Sequence, residues 1–226
     1  MKLLLALALA LGLVSGQDAQ SREARDTALF TLSAAEFREL PRAGEPLEAD
    51  ELDLELLSAA VFHETNRIRQ KHDLPMLAFD ADAAEAAWLQ SRVMAEDGEI
   101  RHENPGHEAL RTLRDRVARV GMQPAFVGEN VASAFLLRYE SGEPFYTRRE
   151  NDTPVFSRSP GGPPIPPHTA VSFAEELLRR WMESPGHREN ILHESPARLG
   201  TAVVPAQERG GMWLLYCTQV FYTPIN

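Results

Sequence analysis

Three polar side chains have the types and local settings from which a site could be built. His187 follows Ser184-Pro185-Gly186, a pattern typical of a helix start, where the helix dipole disfavours a charged imidazole. Glu129 follows a glycine and lies among apolar residues, so we expect its carboxylate to be partly buried and paired. Together with His102, these two residues are the smallest set that could form one polar pocket.

Two histidines, one carboxylate and a water molecule are enough to hold a divalent cation such as zinc. In that arrangement His102 and His187 would be the metal ligands, and Glu129 would be the base of a metal-assisted hydrolase. Structural roles are also open from the local sequence. His187 could hydrogen-bond the backbone at the start of a helix, and Glu129 could accept hydrogen bonds from backbone amides.

Several catalytic patterns are absent from the sequence. His63-Glu64-Thr65-Asn66-Arg67 begins like the HExxH zinc motif, but Arg67 takes the place of the second histidine. The nucleophile elbow, the phosphate-binding loop and the CxxC pair are missing as well. The single cysteine, Cys217, lies in an apolar, strand-like stretch, so we interpret it as an inert core residue and not as a nucleophile.

Composition restricts the compartment and the partners. The chain has 226 residues and a formal net charge of −10, which argues against nucleic acid or anionic lipid as a partner. Residues 1–16 combine Lys2, a short apolar run and small residues, which predicts a secretory signal peptide cleaved near Gly16-Gln17. The apolar run is too short to span a bilayer, so we expect a secreted, extracellular or periplasmic protein without a transmembrane segment.

The remaining chain divides into a leader and one domain. Residues 17–50 are charged and irregular, which predicts a polar N-terminal leader, with one short helix expected from the capping-box pattern of Ser33 and Glu36. Residues 51–226 are predicted to form the domain. Apolar spacing predicts its first helices, but it does not decide between helix and strand for residues 127–137.

The second half of the domain contains an insertion. Residues 138–170 are interpreted as a surface insertion, because Pro and Gly dominate residues 159–167 and exclude helix and central strand. Ser172 and Glu175 form a capping-box pattern for a helix that includes Trp181. A Gly-Gly turn at residues 210–211 between two apolar segments predicts a closing hairpin. Four helices around few strands favour an α+β fold.

Five motifs occur in the order found in the CAP superfamily, also called SCP/TAPS after cysteine-rich secretory proteins, antigen 5 and pathogenesis-related 1 proteins. The motifs are Asn66 to Arg69, Ile100 to His102, Gly128 to Ala132, Trp181 to Leu192 and Tyr216 to Phe221. The chain resembles this superfamily over about residues 55–222, and its Ser-Pro-Gly-His sequence resembles the bacterial branch. The resemblance implies secretion, an α-β-α sandwich and a central cleft.

In eukaryotic members this cleft carries two His and two Glu, which are often reported to hold a divalent metal. Only His102 and Glu129 match that set, because the second glutamate aligns with Ser184 and the second histidine aligns with Tyr216. The resemblance therefore implies a cleft built around these four residues, and we expect His187 to enter it in place of the missing histidine. Zinc binding is expected to be weak, since Ser and Tyr are poor zinc ligands.

Three functions are open at this point. The favoured one is a secreted binding module whose cleft accepts a small ligand, a lipid or a partner protein, since the superfamily is chiefly known in such roles. The second is the metal-assisted, peptidase-like hydrolase that uses Glu129 with His102 and His187. The third is an envelope-associated structural protein that makes its contacts through residues 138–170.

Overall fold

The computed structural model describes residues 27–151, 153–207 and 211–225, so the predicted signal peptide lies outside the described residues. A 3-10 turn, Glu108–Leu110, precedes the sixth helix. The helices are α1 (Ala28–Thr31), α2 (Ala34–Glu39), α3 (Pro41–Gly44), α4 (Leu54–Lys71), α5 (Ala81–Asp97), α6 (Leu113–Arg119), α7 (Ala170–Glu183) and α8 (Pro185–Leu192). The strands are β1 (Ala78–Phe79), β2 (Pro124–Phe135), β3 (Tyr146–Glu150), β4 (Thr153–Ser157), β5 (Arg198–Gln207) and β6 (Trp213–Pro224).

The centre of the fold is a four-stranded sheet with the strand order β1-β5-β6-β2. Strand β5 pairs antiparallel with β6, which confirms the predicted closing hairpin. Strand β2 pairs antiparallel with the other side of β6, and β1 is parallel to β5. Most of the segment 127–137, which periodicity left undecided, is therefore strand, and β2 lies at one edge of the sheet.

Helices cover both faces of this sheet. Alternate residues of β6 point to opposite sides, so Cys217 and Phe221 pack with α4 and α7, whereas Val220 and Tyr222 pack with α5 and α6. The predicted α+β class and the α-β-α sandwich are confirmed. Within the described ranges, no helix is long and apolar enough to cross a membrane.

One glycine sets the spacing between α5 and the sheet. A methyl group built on Gly200 in β5 would overlap the backbone of Ala83 and Ala84 at the start of α5. Small residues on the helix and a glycine on the strand therefore bring the two backbones into direct contact. This close approach fixes the helix whose far end leads into the His102 loop.

Residues 27–50, the described part of the segment that was predicted to be a polar leader, are packed against the domain. The capping box of Ser33 and Glu36 forms as predicted. However, Leu29, Phe30 and Phe37 are buried in the same core cluster as α4 and α7. The folded structure thus begins before the predicted boundary at residue 51. The burial of these apolar residues was not predicted, because charged residues surround them and runs of charge usually mark an exposed segment.

The insertion also has a structure of its own. Strands β3 and β4 form a separate antiparallel hairpin, and Phe156 and Ile165 are buried with Met212 in a small core cluster. Helix α7 then begins at Ala170, because the Thr169 hydroxyl accepts a hydrogen bond from the backbone N–H of Ser172. The helix starts earlier than the Ser172–Glu175 pattern predicted.

Candidate functional site

The structure brings His102 and Glu129 into direct contact. His102 follows the end of α5, and Glu129 lies in the edge strand β2. The His102 Nδ1 atom lies 2.9 Å from Glu129 Oε1. The Glu129 side chain is only 3% exposed, whereas the His102 side chain is 56% exposed. Because a carboxylate only accepts hydrogen bonds, Nδ1 carries the proton, and Nε2 is the ring atom left for a ligand.

Arg116 of α6 holds the other oxygen of this carboxylate. Its Nη2 atom donates to Glu129 Oε2 at 2.7 Å, and the arginine side chain is completely buried. The same guanidinium donates to the backbone carbonyls of His102 and Leu110. Arg116 therefore fixes the loop between α5 and α6 to the edge strand, and it neutralises the buried carboxylate.

Sequence reasoning missed Arg116 as a site residue. A signal was present, because Arg116 is three residues after Leu113 and four before Val120, on the apolar stripe of α6. A charged side chain on a buried helix face needs a buried partner of opposite charge. Glu129, which was expected to be partly buried, is that partner.

His187 is positioned from the other side of the strand by a buried chain of amides. Asn130 donates from Nδ2 to the His187 carbonyl at 3.1 Å and to Gln219 Oε1 at 3.0 Å. Asn190 donates to Asn130 Oδ1 at 2.8 Å. Gln219 in turn donates to Thr65 of α4. These contacts attach α8 to the sheet and so hold His187 near enough to His102 for the charge of one imidazole to affect the pKa of the other.

The exposed edge of β2 is closed by side chains of α7 and α8. The backbone carbonyls of Glu129, Val131 and Ser133 would otherwise be unpaired at the edge of the sheet. They accept hydrogen bonds, in that order, from the side chains of Asn190, Trp181 and Arg180. The segment from Trp181 to Leu192 therefore helps to hold β2, the strand that carries Glu129, in position.

The pKa values of the two histidines are shifted in opposite directions. The hydrogen bond to Glu129 raises the pKa of His102, although burial and the Arg116 charge act against this rise. Burial lowers the pKa of His187, and the positive charge of a protonated His102 lowers it further. The site therefore combines two imidazoles whose pKa values are shifted in opposite directions, so that His102 takes up a proton more readily than His187.

The other two predicted cleft residues have different surroundings. Ser184 begins α8, but its side chain does not cap the helix. Tyr216 is buried opposite Ser133 on the sheet, in a cluster with Met94 and Leu214. His63, from the broken zinc motif, is buried in α4, where its Nε2 atom lies 2.8 Å from the Leu29 carbonyl.

These residues do not fit a resident divalent cation that uses Glu129 as a ligand. Both oxygens of the Glu129 carboxylate are engaged, one by the permanent positive charge of Arg116. Over the part of the chain that the structure describes, no three His, Cys, Asp or Glu side chains form a group that could hold a metal. His102 and His187 are two imidazoles, and a stable zinc site needs at least three protein ligands.

A protein-family model matches most of this chain, in agreement with its α-β-α fold. The model of the cysteine-rich secretory protein family, CAP, matches residues 62–221, and the chain therefore belongs to the CAP family. No curated protein sequence matches the chain.

Several solved structures match this chain, among them two bacterial proteins. An extracellular protein of Bacillus anthracis that contains an SCP domain has 25% sequence identity and a TM-score of 0.51, over 79% of this chain. This chain spans only 44% of that protein's length. An outer surface protein of Borrelia burgdorferi has 14% identity and a TM-score of 0.51, over 77% of this chain and 97% of its own. The similarity to the Borrelia burgdorferi protein shows a shared fold and nothing further.

Proposed function

We propose that this chain is an extracytoplasmic binding domain whose ligand contacts the exposed imidazole of His102 and the neighbouring His187. One observation carries the proposal: buried Arg116 and His102 each hold one oxygen of the Glu129 carboxylate. Glu129 is therefore a positioning residue that orients His102, and the His102 Nε2 atom faces the ligand.

The charges at this site favour a ligand with a negative or hydrogen-bond-accepting group. Arg116 and Glu129 neutralise each other, so protonation of His102 adds one positive charge to the site. A ligand carboxylate would accept a charge-assisted hydrogen bond from His102 Nε2–H. Neutral His187 would supply a second hydrogen bond. Attraction of such a ligand should weaken as the pH rises through the pKa of His102.

The hydrolase alternative has less support. A general base must reach the proton that it removes, and both Glu129 oxygens are already hydrogen-bonded. Cys217 is no better as a nucleophile, because burial raises the pKa of its thiol and keeps it protonated.

Export is part of the proposal. It rests on the predicted signal peptide, residues 1–16, and on the extracellular location in the name of the Bacillus anthracis protein. Intact-mass measurement of the mature protein tests it. Cleavage near Gly16-Gln17 is expected, and a mature protein that retains Met1 would contradict export by this route.

Acetate is a minimal probe of the binding site. In two-dimensional NMR at about pH 5.5 and pH 8, acetate should shift the ring signals of His102 and His187, with the larger response at the lower pH. His102→Asn should abolish the response, and His72→Asn, at an exposed histidine after α4, should leave it unchanged. Ring shifts that are absent, or equal at both pH values, would overturn the proposal.

Fluorescein-labelled casein and p-nitrophenyl acetate, each with and without zinc chloride, test the hydrolase alternative. We expect no turnover that depends on Glu129. Hydrolysis by the wild-type protein that disappears in Glu129→Gln, while the variant remains folded, would restore the alternative.

A further inference from the structure

A cavity lies at the carboxyl end of β2, beyond Glu129. It has a volume of about 620 Å³ and lies between the insertion, represented by Tyr139, and the face of α7 that carries Glu176 and Arg179. Its floor includes Phe135 and Leu214, which are paired across β2 and β6. We call it the insertion cavity. Neither His102, Glu129 nor His187 lines it, so it is separate from the site described above.

His168 is the unusual residue of the insertion cavity. It is 8% exposed, and it lines both the insertion cavity and an adjoining cavity of about 440 Å³. Its Nδ1 atom lies 3.1 Å from Ser172 Oγ. Its Nε2 atom has no hydrogen-bond partner in residues 27–151, 153–207 and 211–225. The Nε2 atom is open to the cavity, where it can form a hydrogen bond to a ligand or to water.

The surroundings of Ser172 determine which ring nitrogen carries the proton. Ser172 Oγ already accepts hydrogen bonds from the Thr169 N–H and from the Arg138 guanidinium. Two donors already occupy the oxygen, so His168 Nδ1 is an acceptor here. The Ser172 hydroxyl proton has two acceptors, His168 Nδ1 at 3.1 Å and the Thr169 carbonyl at 3.4 Å, of which Nδ1 is the closer. Burial and the nearby Arg138 charge lower the pKa of His168 to about 4, so the ring is neutral. Nε2–H is then a fixed, uncharged donor at the cavity wall.

The charged lining of the insertion cavity is nearly balanced. The lining includes three glutamates and two arginines, namely Glu140, Glu176, Glu183, Arg179 and Arg180. Arg179 is paired with Glu176 at 2.6 Å and with Glu183 at 2.7 Å. A ligand with a strong net charge of either sign would therefore meet groups that repel it. Planar carboxylate and guanidinium groups nevertheless present many acceptors and donors.

An extended peptide is also disfavoured beside this cavity. A peptide commonly binds by adding a strand to an exposed sheet edge. The outward carbonyls of Val131 and Ser133 on the edge strand are already bonded to Trp181 and Arg180. The edge therefore offers no row of free acceptors for a peptide backbone.

From these observations we propose that the insertion cavity binds a neutral oligosaccharide. Sugar hydroxyls donate and accept, which matches the alternating Glu and Arg groups of α7 together with the His168 Nε2–H donor. The C–H face of a sugar ring would pack on Phe135 and Leu214. The volume lies within the range of about 300–1,000 Å³ that is typical of small-ligand sites. This proposal goes beyond the function proposed above and uses different residues.

Calorimetric titration of the full chain with cellotriose, maltotriose and chitotriose tests the proposal. At least one should bind, and Glu176→Gln and His168→Phe should each weaken that binding by at least about tenfold, the effect of one lost hydrogen bond at a buried site. Glu189→Gln, at an exposed glutamate of α8, should leave it unchanged. Circular dichroism identifies any variant that fails to fold. If His168→Phe fails to fold, Glu176→Gln still tests the proposal.

Three results would overturn the proposal. The first is that none of the three sugars binds. The second is that the folded variants bind sugar as tightly as the wild type. The third is that trialanine or a heparin-derived tetrasaccharide binds and the sugars do not. His102→Asn should abolish the acetate response but retain sugar binding. Failure of one proposal can therefore be distinguished from failure of the other.

Discussion

Glu129 and Arg116 form a buried ion pair, with 2.7 Å between Glu129 Oε2 and Arg116 Nη2 and side-chain exposures of 3% and 0%. The pair joins the edge strand β2 to helix α6, and Arg116 also donates a hydrogen bond to the backbone carbonyl of His102 in the loop between α5 and α6. The position of the exposed imidazole thus depends on a charge pair that no ligand can reach.

Arg116→Met should destabilise the protein by about 3–5 kcal/mol, because it leaves the Glu129 carboxylate buried without its cation. Urea unfolding followed by circular dichroism measures this loss. Arg114→Met is the matched control, since Arg114 is exposed on the same helix, and it should change stability by less than about 0.5 kcal/mol. Equal effects of the two changes would mean that the ion pair does not hold the fold.

Gly200→Ala should destabilise the protein by at least about 1–3 kcal/mol, the usual effect of overpacking, because its methyl group would overlap the backbone of α5. Gly106→Ala is the control, since nothing lies within 4 Å of a methyl group there. Thermal unfolding compares the two. A Gly200→Ala protein as stable as the control would show that α5 can move away from the sheet without loss.

Trp181 should be an anchor of the core and of the β2 edge. It is 1% exposed, and its indole N–H donates to the Val131 carbonyl at 3.3 Å. Trp181→Ala should cost about 3–5 kcal/mol, the range for large aromatic residues in cores. Trp181→Phe keeps most of the packing and should cost less, on the order of 1–3 kcal/mol for the unsatisfied carbonyl. A loss below about 1 kcal/mol in Trp181→Ala would refute the anchor role.

His168 should make the protein sensitive to mild acid. Its pKa is lowered from 6.5 to about 4 by burial and by the Arg138 charge, against the opposing effect of Glu176. Between these pH values the unfolded chain takes up a proton that the folded chain resists, so stability falls as the pH falls. The loss should be on the order of 2 kcal/mol after allowance for solvent screening.

Unfolding curves of wild type and His168→Gln from pH 7 to pH 4 measure this contribution. The variant should lose less stability over the window, whereas His72→Gln, at an exposed histidine, should follow the wild type. Identical pH dependence of wild type and His168→Gln would contradict a buried neutral His168.

The main architecture could be predicted from the sequence because its motifs are local and ordered. Apolar patterning predicted the closing hairpin and the α+β class, and the resemblance to the CAP superfamily, carried by five ordered motifs, implied the α-β-α sandwich. The packing of Leu29 and Phe37 could not be predicted in this way. Two apolar residues among charges have no clear period, and their burial depends on α4 and α7, which lie far along the sequence.

The candidate site was predicted only in part. His102, Glu129 and His187 were named from local features, and the structure places the first two in hydrogen-bond contact. Arg116 was missed because its role depends on a partner 13 residues away in a different element. Asn130 and Gln219 belong to recognised motifs, but no local pattern shows that they bond to each other across two strands.

The central claim, that Glu129 orients and charges His102, is tested most directly by NMR pH titration of the histidine rings in wild type and Glu129→Gln. In the wild type, the pKa of His102 should lie above the ordinary histidine value and that of His187 below it. In Glu129→Gln, the pKa of His102 should fall, because the acceptor charge is lost and the Arg116 charge remains. A His102 pKa that lies below that of His187, or that does not respond to the substitution, would contradict the account.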